Sequence, residues 1–247
     1  MPNLNSINLI VPMKNEADNI EFLVKEIAKV VQEHPELEAT MVDDGSSDNT
    51  ANLALELQKE FPWLHVLQHD KSGGQSAAID SGIRASKSDI ICTVDGDGQN
   101  PPSELPKLFL PLLNDSSGKL GLVAGQRVDR QDTLSKKWAS RFANAIRKRI
   151  LRDGTRDTGC GLKAFRRDAY LALPYFNHMH RYFPALFKRD GWEIELVDVK
   201  HQERNAGTSN YNNFQRGIVG IYDLIGVAWL IKRRKQVHAS EYTVDKD

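Results

Sequence analysis

Cysteine is scarce in this chain, which has only Cys92 and Cys160 among its 247 residues. Two cysteines do not make a disulfide framework or a cysteine-based zinc site, so we expect a reducing compartment. The N-terminal stretch "MPNLNSINLI" has neither a basic region nor a long apolar core, so no signal peptide is expected there.

An excess of charge of one sign is also absent, because 33 Lys and Arg residues balance 33 Asp and Glu residues. This balance gives no global electrostatic reason to expect a nucleic-acid partner. No stretch reaches the roughly 20 apolar residues that a membrane-spanning helix needs. The nearest candidate, residues 218–231, is apolar except for glycines and Asp223. At about 1.5 Å per residue it would reach about 21 Å, short of the hydrocarbon core.

The C-terminal segment instead resembles a helix with one narrow polar stripe. Arg216, Gly220, Asp223 and Gly226 form that stripe, and residues 232–235 are all basic. The pattern predicts an amphipathic helix over residues 214–236 that lies in a membrane interface or docks on a partner protein. Residues 1–213 would then form the main domain and residues 237–247 a polar tail.

Short apolar runs alternate with helical patterns in the first half of the chain. The candidate strands are "INLIVP", "ATMVDD", "LHVLQH", "DIICTVD" and "GLVAGQ", and the candidate helices between them include "NIEFLVKEIAKVVQEH", "TANLALELQKEF" and "SAAIDSGIRAS". Strand–helix alternation predicts an α/β fold with a mostly parallel, Rossmann-like sheet flanked by helices. Ligands of such sheets bind beyond the carboxyl ends of the strands.

Polar residues follow three of these strands, in "PMKNE", "DDGSSDNT" and "DGDGQ". Asp95 and Asp97 are two positions apart in a tight turn, so their carboxylates can share a divalent cation, and Gln99 can add a carbonyl oxygen. Gly96 lets the backbone turn and a ligand approach closely. Although Asp-Gly is also a common surface turn, the position after a buried strand favours a site for a metal and a phosphate.

The "DDGSSDNT" stretch allows two interpretations. Asp44 can accept hydrogen bonds from a nucleobase or ribose, whereas Asp48 or Ser47 can cap the helix that follows. A capping loop explains "SSDNT" but explains less well why a second buried acid precedes it.

Taken in order, "IVPMKNEADNI", "VDDGSSDNT", "GGQSAAIDSGIRAS" and "TVDGDGQNPP" resemble family 2 glycosyltransferases. More narrowly, "GQRVDR", "DTGCGLKAFRRDAY" and "HQERNAGTSNY" are similar to stretches of polyprenyl-phosphate glycosyltransferases of the dolichol-phosphate mannose synthase type. The resemblance covers about residues 7–211 and implies a GT-A-like fold. Where the mannose synthases have lysine after Gly-x-Ser, this chain has Asn210, so the donor sugar is left open.

The resemblance also implies a role for individual residues. The nucleotide site would be lined by Pro12, Lys14, Glu16, Val42 and Asp44. The metal and the donor diphosphate would be held by Asp95, Gly96, Asp97 and Gln99. Arg127 would lie at the junction of donor and acceptor, and Arg204 would contact the diphosphate from a loop. Lys136 and Ser140 would hold the acceptor phosphate; lysine replaces the arginine of the family pattern, which keeps the charge and loses the bidentate fork.

These observations predict an inverting glycosyltransferase that needs Mg²⁺ or Mn²⁺ and has Asp95, Asp97 and Arg127 as its catalytic residues. It would transfer a sugar from a GDP- or UDP-linked donor to polyprenyl phosphate as a peripheral enzyme at the cytoplasmic membrane face. A homo-oligomer or a membrane partner protein is also allowed. Three alternatives remain: a hydroxyl acceptor such as a saccharide, a sugar nucleotidyltransferase, and a nucleotide-binding regulatory module.

Overall fold

The computed structural model describes residues 6–128, 147, 149–202, 213–235 and 237, with side chains of the last helix described from residue 219 onward. The strands are β1 Ile7–Met13, β2 Leu37–Asp43, β3 Leu64–Gln68, β4 Ile90–Thr93, β5 Leu120–Arg127, β6 Lys163–Arg166 and β7 Glu193–Val199. The helices are α1 Ala17–Glu33, α2 Thr50–Glu60, α3 Gln75–Ala85, α4 Pro106–Leu113, α5 Arg167–Leu171, α6 Phe183–Arg189 and α7 Asn213–Lys232. Short 3₁₀ helices cover Pro102–Glu104 and Met179–Arg181.

The seven strands form one sheet in the order β3-β2-β1-β4-β6-β5-β7. All neighbouring pairs are parallel except those of β6, which is antiparallel to both β4 and β5. The prediction of a mostly parallel sheet flanked by helices is therefore confirmed. The five strands predicted in the first half of the chain are present, and β6 was not predicted.

Hydrophobic side chains pack on both faces of the sheet, as the branched apolar strands require. In β1, Ile7, Leu9 and Val11 belong to the core under α1, α2 and α4, whereas Ile10 belongs to the core under α3. This alternation follows from the two-residue period of a strand. Gly82 allows α3 to approach closely, because a Cβ there would lie 2.6 Å from the Ile10 side chain.

Helix α1 forms because its apolar residues recur at helical spacing. Ile20, Leu23, Val24 and Ile27 are fully buried, while Lys25 and Glu21 pair on the exposed face. The amino end of α1 is held by the loop after β2, where Asp48 accepts a hydrogen bond from the Ala17 backbone N–H at 3.3 Å. The same carboxylate accepts the Thr50 N–H at the start of α2 at 3.0 Å. The predicted capping role of Asp48 is therefore observed.

Helix α7 packs against the core under α3 through Val227, which is buried. Two members of its polar stripe contact the protein: Asp223 pairs with His178 at 3.3 Å, and the Gly220 carbonyl accepts a hydrogen bond from the Tyr182 hydroxyl at 3.2 Å. The helix ends at Lys232, and residues 233–235 follow it outside the helix. In the described part of the chain, no helix combines the length and apolar character needed to cross a membrane.

Candidate active site

The carboxyl ends of β1, β2 and β4 lie at the same edge of the sheet. Met13 is the register partner of Asp43, and Thr93 is the partner of Ile10. The loops after these strands therefore converge, as expected for a parallel sheet. Contacts between the loops confirm it, since Gly96 packs against Pro12 and Glu16: a Cβ on Gly96 would lie 3.1 Å from the Pro12 carbonyl and 3.7 Å from the Glu16 side chain.

Two side-chain amides hold the Asp95 carboxylate. Gln75 donates from Nε2 to Oδ1 at 2.7 Å, and Asn100 donates from Nδ2 to Oδ2 at 3.2 Å. Behind the carboxylate lies Gly161, where a Cβ would come within 2.3 Å of Oδ2. Because each carboxylate oxygen has two lone pairs, this arrangement leaves one on each oxygen for a ligand.

The environment of Asp95 makes its ionised form less stable than that of an aspartate in water. Burial, and then the nearby charge of Asp97, raise the pKa of Asp95 to about 6, and the cations of Lys163 and Arg127 oppose that rise. Two carboxylates are thus held close together in a poorly solvated cleft. Such a pair gains from a cation that neutralises both.

Asp97 lies in a turn that the neighbouring loops hold in place. Its Oδ1 accepts the Gln99 backbone N–H at 3.1 Å, and Gly98 has a φ of +71° that favours glycine. The carbonyls of Gly98 and Gln99 accept hydrogen bonds from the Gln202 side chain and backbone at 3.1 and 3.0 Å. The acidic turn is therefore fastened to the chain that leaves β7.

Asp44 is buried and accepts four hydrogen bonds from the loop after β3. His69 Nδ1 and the Gly73 N–H contact Oδ1 at 2.8 and 2.7 Å, and the Ser72 hydroxyl and the Gly74 N–H donate to Oδ2 at 2.7 and 2.8 Å. Burial would raise the pKa of Asp44, but these hydrogen bonds together lower it below its usual value. In this arrangement the carboxylate holds the loop, and its contact with a nucleobase stays a prediction.

The other residues predicted for the nucleotide occupy different environments. Lys14 is exposed beyond the end of β1. Glu16 accepts a hydrogen bond from the Asn19 side chain at 2.7 Å at the start of α1. Val42 is fully buried in the core under α3, so its side chain does not line the cleft.

Arg127 ends β5 and pairs with Asp157 in a bidentate ion pair. Its Nε and Nη2 donate to the carboxylate at 2.5 and 2.9 Å. Burial would lower the pKa of Arg127, but the Asp157 carboxylate, together with the nearby Cys160 and Asp95, raises it. Arg127 is close enough to Asp95 for its charge to lower the pKa of that carboxyl. The predicted junction residue and the acidic turn therefore lie in one region.

Three predicted residues lie outside the described residues: Lys136, Ser140 and Arg204. Their proposed contacts with the acceptor phosphate and the diphosphate stay predictions. Within the ranges that the structure describes, no group of three or more His, Cys, Asp or Glu residues could hold a metal ion. Among the described residues, the acidic turn therefore offers a cation two carboxylates, Asp95 and Asp97.

A family model described as "Glycosyl transferase family 2" matches residues 8–173. The chain belongs to this family. It is 31% identical over 225 residues to the undecaprenyl-phosphate 4-deoxy-4-formamido-L-arabinose transferase of Pectobacterium carotovorum subsp. carotovorum (strain PC1), covering 90% of this chain and 67% of the relative. The protein of the same name from Proteus mirabilis (strain HI4320) is 33% identical with the same coverage.

Solved structures support the fold. The chain is similar to mannosyl-3-phosphoglycerate synthase from Rubrobacter xylanophilus, with a TM-score of 0.71, 15% identity, and coverage of 94% of this chain and 77% of the other. It is also similar to glucosyl-3-phosphoglycerate synthase from Mycobacterium tuberculosis in complex with Mn²⁺, UDP-glucose and phosphoglyceric acid, with a TM-score of 0.68, 18% identity, and coverage of 92% and 79%. The predicted GT-A-like fold is confirmed.

Sequence reasoning missed several residues of this family 2 glycosyltransferase that surround Asp95. Gln75, Asn100 and Gly161 touch its carboxylate, and Lys163 is a buried cation whose charge acts on it. Burial lowers the pKa of Lys163, and the nearby Cys160, Asp95 and Asp157 oppose that effect. The glutamine was visible in "GGQSAA", where a glycine pair opens a helix, but nothing in that pattern indicates which acid the side chain reaches.

Proposed function

We propose that this glycosyltransferase moves a sugar from a nucleoside diphosphate to the phosphate of a polyprenyl phosphate, with inversion at the anomeric carbon. An oxygen of the lipid phosphate would attack that carbon while its bond to the diphosphate oxygen breaks, releasing the nucleoside diphosphate. The product is a polyprenyl-phosphate-linked sugar.

The observation that carries the acceptor is the match to transferases named for undecaprenyl phosphate, which extends over 90% of the chain. A phosphate acceptor also suits the chemistry of the cleft: it is already ionised at neutral pH, so no strong general base is required and positioning provides much of the catalysis. The cation of Arg127 lowers the repulsion between two anionic substrates.

The residues present fit a divalent cation. Asp95 and Asp97 are hard oxygen donors, and their mutual repulsion would be relieved by a bound cation. Since the described residues lack a third acidic, histidine or cysteine ligand nearby, the remaining positions suit substrate phosphates and water, as Mg²⁺ and Mn²⁺ sites commonly have. Such a cation would supply positive charge for the departing diphosphate. The glucosyl-3-phosphoglycerate synthase of similar fold was crystallised with Mn²⁺ and UDP-glucose.

Helix α7 supports attachment at the membrane surface. Ile221, Tyr222, Ile225 and Trp229 are each more than half exposed, although they are large apolar or aromatic residues. Exposed basic residues follow at 232–235, and exposed Arg149 and Arg152 flank the partly exposed Ile150. An apolar face bordered by cations is typical of a helix lying in the interface of an anionic membrane. The cytoplasmic face is part of this proposal, because nucleotide sugars are its donors.

The experiment tests both the acceptor and the acids. The full chain is incubated with undecaprenyl phosphate in lipid vesicles, Mg²⁺ or Mn²⁺, and radiolabelled UDP- or GDP-sugars. We expect label in the lipid phase from at least one donor and none after chelation of the metal. Transfer only to saccharide hydroxyls would contradict the acceptor, and pyrophosphate release from a nucleoside triphosphate would favour a nucleotidyltransferase.

Asp97→Asn should lower lipid transfer by at least about 100-fold, because it removes a charged oxygen ligand. The matched control is Asp168→Asn, an exposed aspartate in the first turn of α5, at the opposite edge of the sheet. That variant should retain its activity. Unchanged cellular function with the Asp97 variant would favour a regulatory module over an enzyme.

A further inference from the structure

Hydrogen bonds from consecutive residues fix the turn that leads from β3 into α3. Ser72, Gly73 and Gly74 donate hydrogen bonds to Asp44. Gly74 has a φ of +86°, a conformation that favours glycine, and it directly precedes Gln75, the first residue of α3. Because the backbone before Gln75 is fixed in this way, the direction in which its side chain leaves the helix is also fixed.

A second contact holds the same turn from the side of the helix. The Ser76 hydroxyl and His180 Nδ1 are 2.7 Å apart; Ser76 is buried and His180 is partly buried. His180 lies in the 3₁₀ helix Met179–Arg181, and Met179 belongs to the core under α3. Burial and then the neighbouring Lys163 cation lower the pKa of His180 well below its usual value, so the imidazole is neutral in this contact. The turn is therefore attached to two separate parts of the fold.

Asp95 receives the side chain that this turn presents. Gln75 is exposed and covers Oδ1 from the open side of the cleft, and buried Asn100 covers Oδ2 from the inside. Gly161 closes the space behind the carboxylate. Two amide donors on different oxygens fix the plane of the carboxylate, whereas a single donor would leave it free to rotate. They also leave each oxygen with a lone pair, in contrast to Asp44, where all four are used.

We propose that Gln75 is a positioning residue for sugar transfer, which orients the Asp95 carboxylate towards the cation and diphosphate of the donor through its Nε2–Oδ1 hydrogen bond. Ser76 and His180 assist by fixing the turn that carries Gln75. The inference rests on the proposed function for the identity of the donor and the metal. Loss of a hydrogen-bond partner of a metal ligand commonly lowers metal affinity or activity by about 10- to 100-fold.

The test replaces Gln75 with methionine, which has similar length and no hydrogen-bond donor. Binding of Mn²⁺ to the full chain is measured by electron paramagnetic resonance with UDP or GDP present and no acceptor, and lipid transfer is measured separately. We expect Gln75→Met to weaken Mn²⁺ binding about 10- to 100-fold and to lower kcat more than it raises KM for the donor. Ser76→Ala should change both quantities in the same direction by a smaller factor.

Gln68→Met is the matched control. Gln68 is also exposed and also donates from Nε2 to a buried aspartate, Asp43, at 3.2 Å. Mn²⁺ binding and transfer by this variant should stay within about twofold of the unmodified chain, since Asp43 is not part of the acidic turn. This control shows what the loss of a glutamine–aspartate hydrogen bond does elsewhere in the protein.

The outcomes separate this inference from the proposed function. If lipid transfer is found but Gln75→Met binds Mn²⁺ and turns over like the unmodified chain, the positioning role is overturned. The role is also overturned if the unmodified chain binds no Mn²⁺ with either nucleotide. If Gln75→Met weakens Mn²⁺ binding while no lipid-linked sugar is formed by any variant, the positioning role stands and the proposed acceptor fails.

Discussion

Asp44 and Asp95 carry the same chemical group near the ends of β2 and β4, the two strands that flank β1, but the chain uses them differently. Four internal hydrogen bonds saturate Asp44 and lower its pKa, so it is an anionic anchor for the loop after β3. Asp95 has two such bonds, and burial together with the charge of Asp97 raises its pKa to about 6. A carboxylate that is poorly compensated by the protein is the one that gains most from a ligand.

At the residue scale, Gly161 is the position where the smallest change should have a large effect. A Cβ there would lie 2.3 Å from Asp95 Oδ2, closer than real contacts allow, so Gly161→Ala must displace the carboxylate. We expect turnover to fall by at least about 10-fold, because a displacement of about 1 Å in an active site commonly costs that much or more. The measurement is kcat/KM for lipid transfer.

Gly226→Ala serves as the control, because a Cβ at that position of α7 has open space around it. Its turnover should be unchanged, and its helix should be slightly stabilised, since alanine favours a helix over glycine by about 1 kcal/mol. Activity of Gly161→Ala equal to that of the control would show that Asp95 tolerates displacement.

Asp115 provides a stability prediction that is independent of the active site. It accepts hydrogen bonds from the Ser117 hydroxyl and the Leu120 N–H at 2.6 and 2.8 Å, and from the Arg166 guanidinium at 3.1 Å. Burial would raise its pKa, but these contacts together lower it to about 2. Asp115→Asn should lower the free energy of unfolding at pH 7 by about 1–3 kcal/mol.

The sign of the pH dependence follows from that lowered pKa. The ionised carboxylate is favoured in the folded chain, so its stabilisation is present above the unfolded pKa of about 3.9 and is lost as pH falls towards 2. Urea unfolding of both proteins between pH 7 and pH 2 should give a difference that shrinks below about pH 4. A difference that stays constant down to pH 2 would contradict the role of the charge.

At the scale of elements, β6 positions the loop that lies behind Asp95. It inserts antiparallel between β4 and β5, and its register pairs Lys163 with Thr93 and with Ala124. The Thr93 hydroxyl donates to the Gly161 carbonyl at 2.6 Å, which fixes the glycine behind Asp95. The insertion of one short strand therefore joins the acidic turn to the loop that pairs with Arg127.

The limits of sequence reasoning can be seen in the same elements. The parallel strands β1–β5 were predicted because their apolar runs are bounded by polar turns, and the acidic turn after β4 followed from that assignment. β6 has only four residues, "KAFR", with a charge at each end, so its place in the sheet depends on long-range pairing that no local pattern reveals. Gln75 and Gly161 approach Asp95 from distant segments that only folding brings together, whereas Asn100 reaches it from the same loop.

At the scale of the whole molecule, the charges are unevenly distributed although they sum to zero. The formal net charge is zero, yet the exposed apolar face of α7 is bordered by the basic residues at 232–235 and by Arg149 and Arg152. A groove of about 550 Å³ runs between Ile150 and α7, with Lys232 among its lining residues. A membrane that binds this face would receive apolar side chains in its interface and cations at its headgroups.

The last prediction separates membrane docking from packing. The double variant Ile225→Ser with Trp229→Ser should reduce partition of the full chain into vesicles of phosphatidylcholine and phosphatidylglycerol by at least about 10-fold, because burying each large apolar side chain is worth about 1.5–3 kcal/mol. Cosedimentation measures the effect, and high salt should weaken binding of the unmodified chain by screening its cations. The control is Phe22→Ser with Leu55→Ser, two exposed apolar residues of α1 and α2, which should leave partition unchanged. Equal loss of partition in both double variants would mean that general surface hydrophobicity, and not α7, drives membrane binding. No loss of partition in either variant would mean that the exposed face of α7 binds a protein partner instead of lipid.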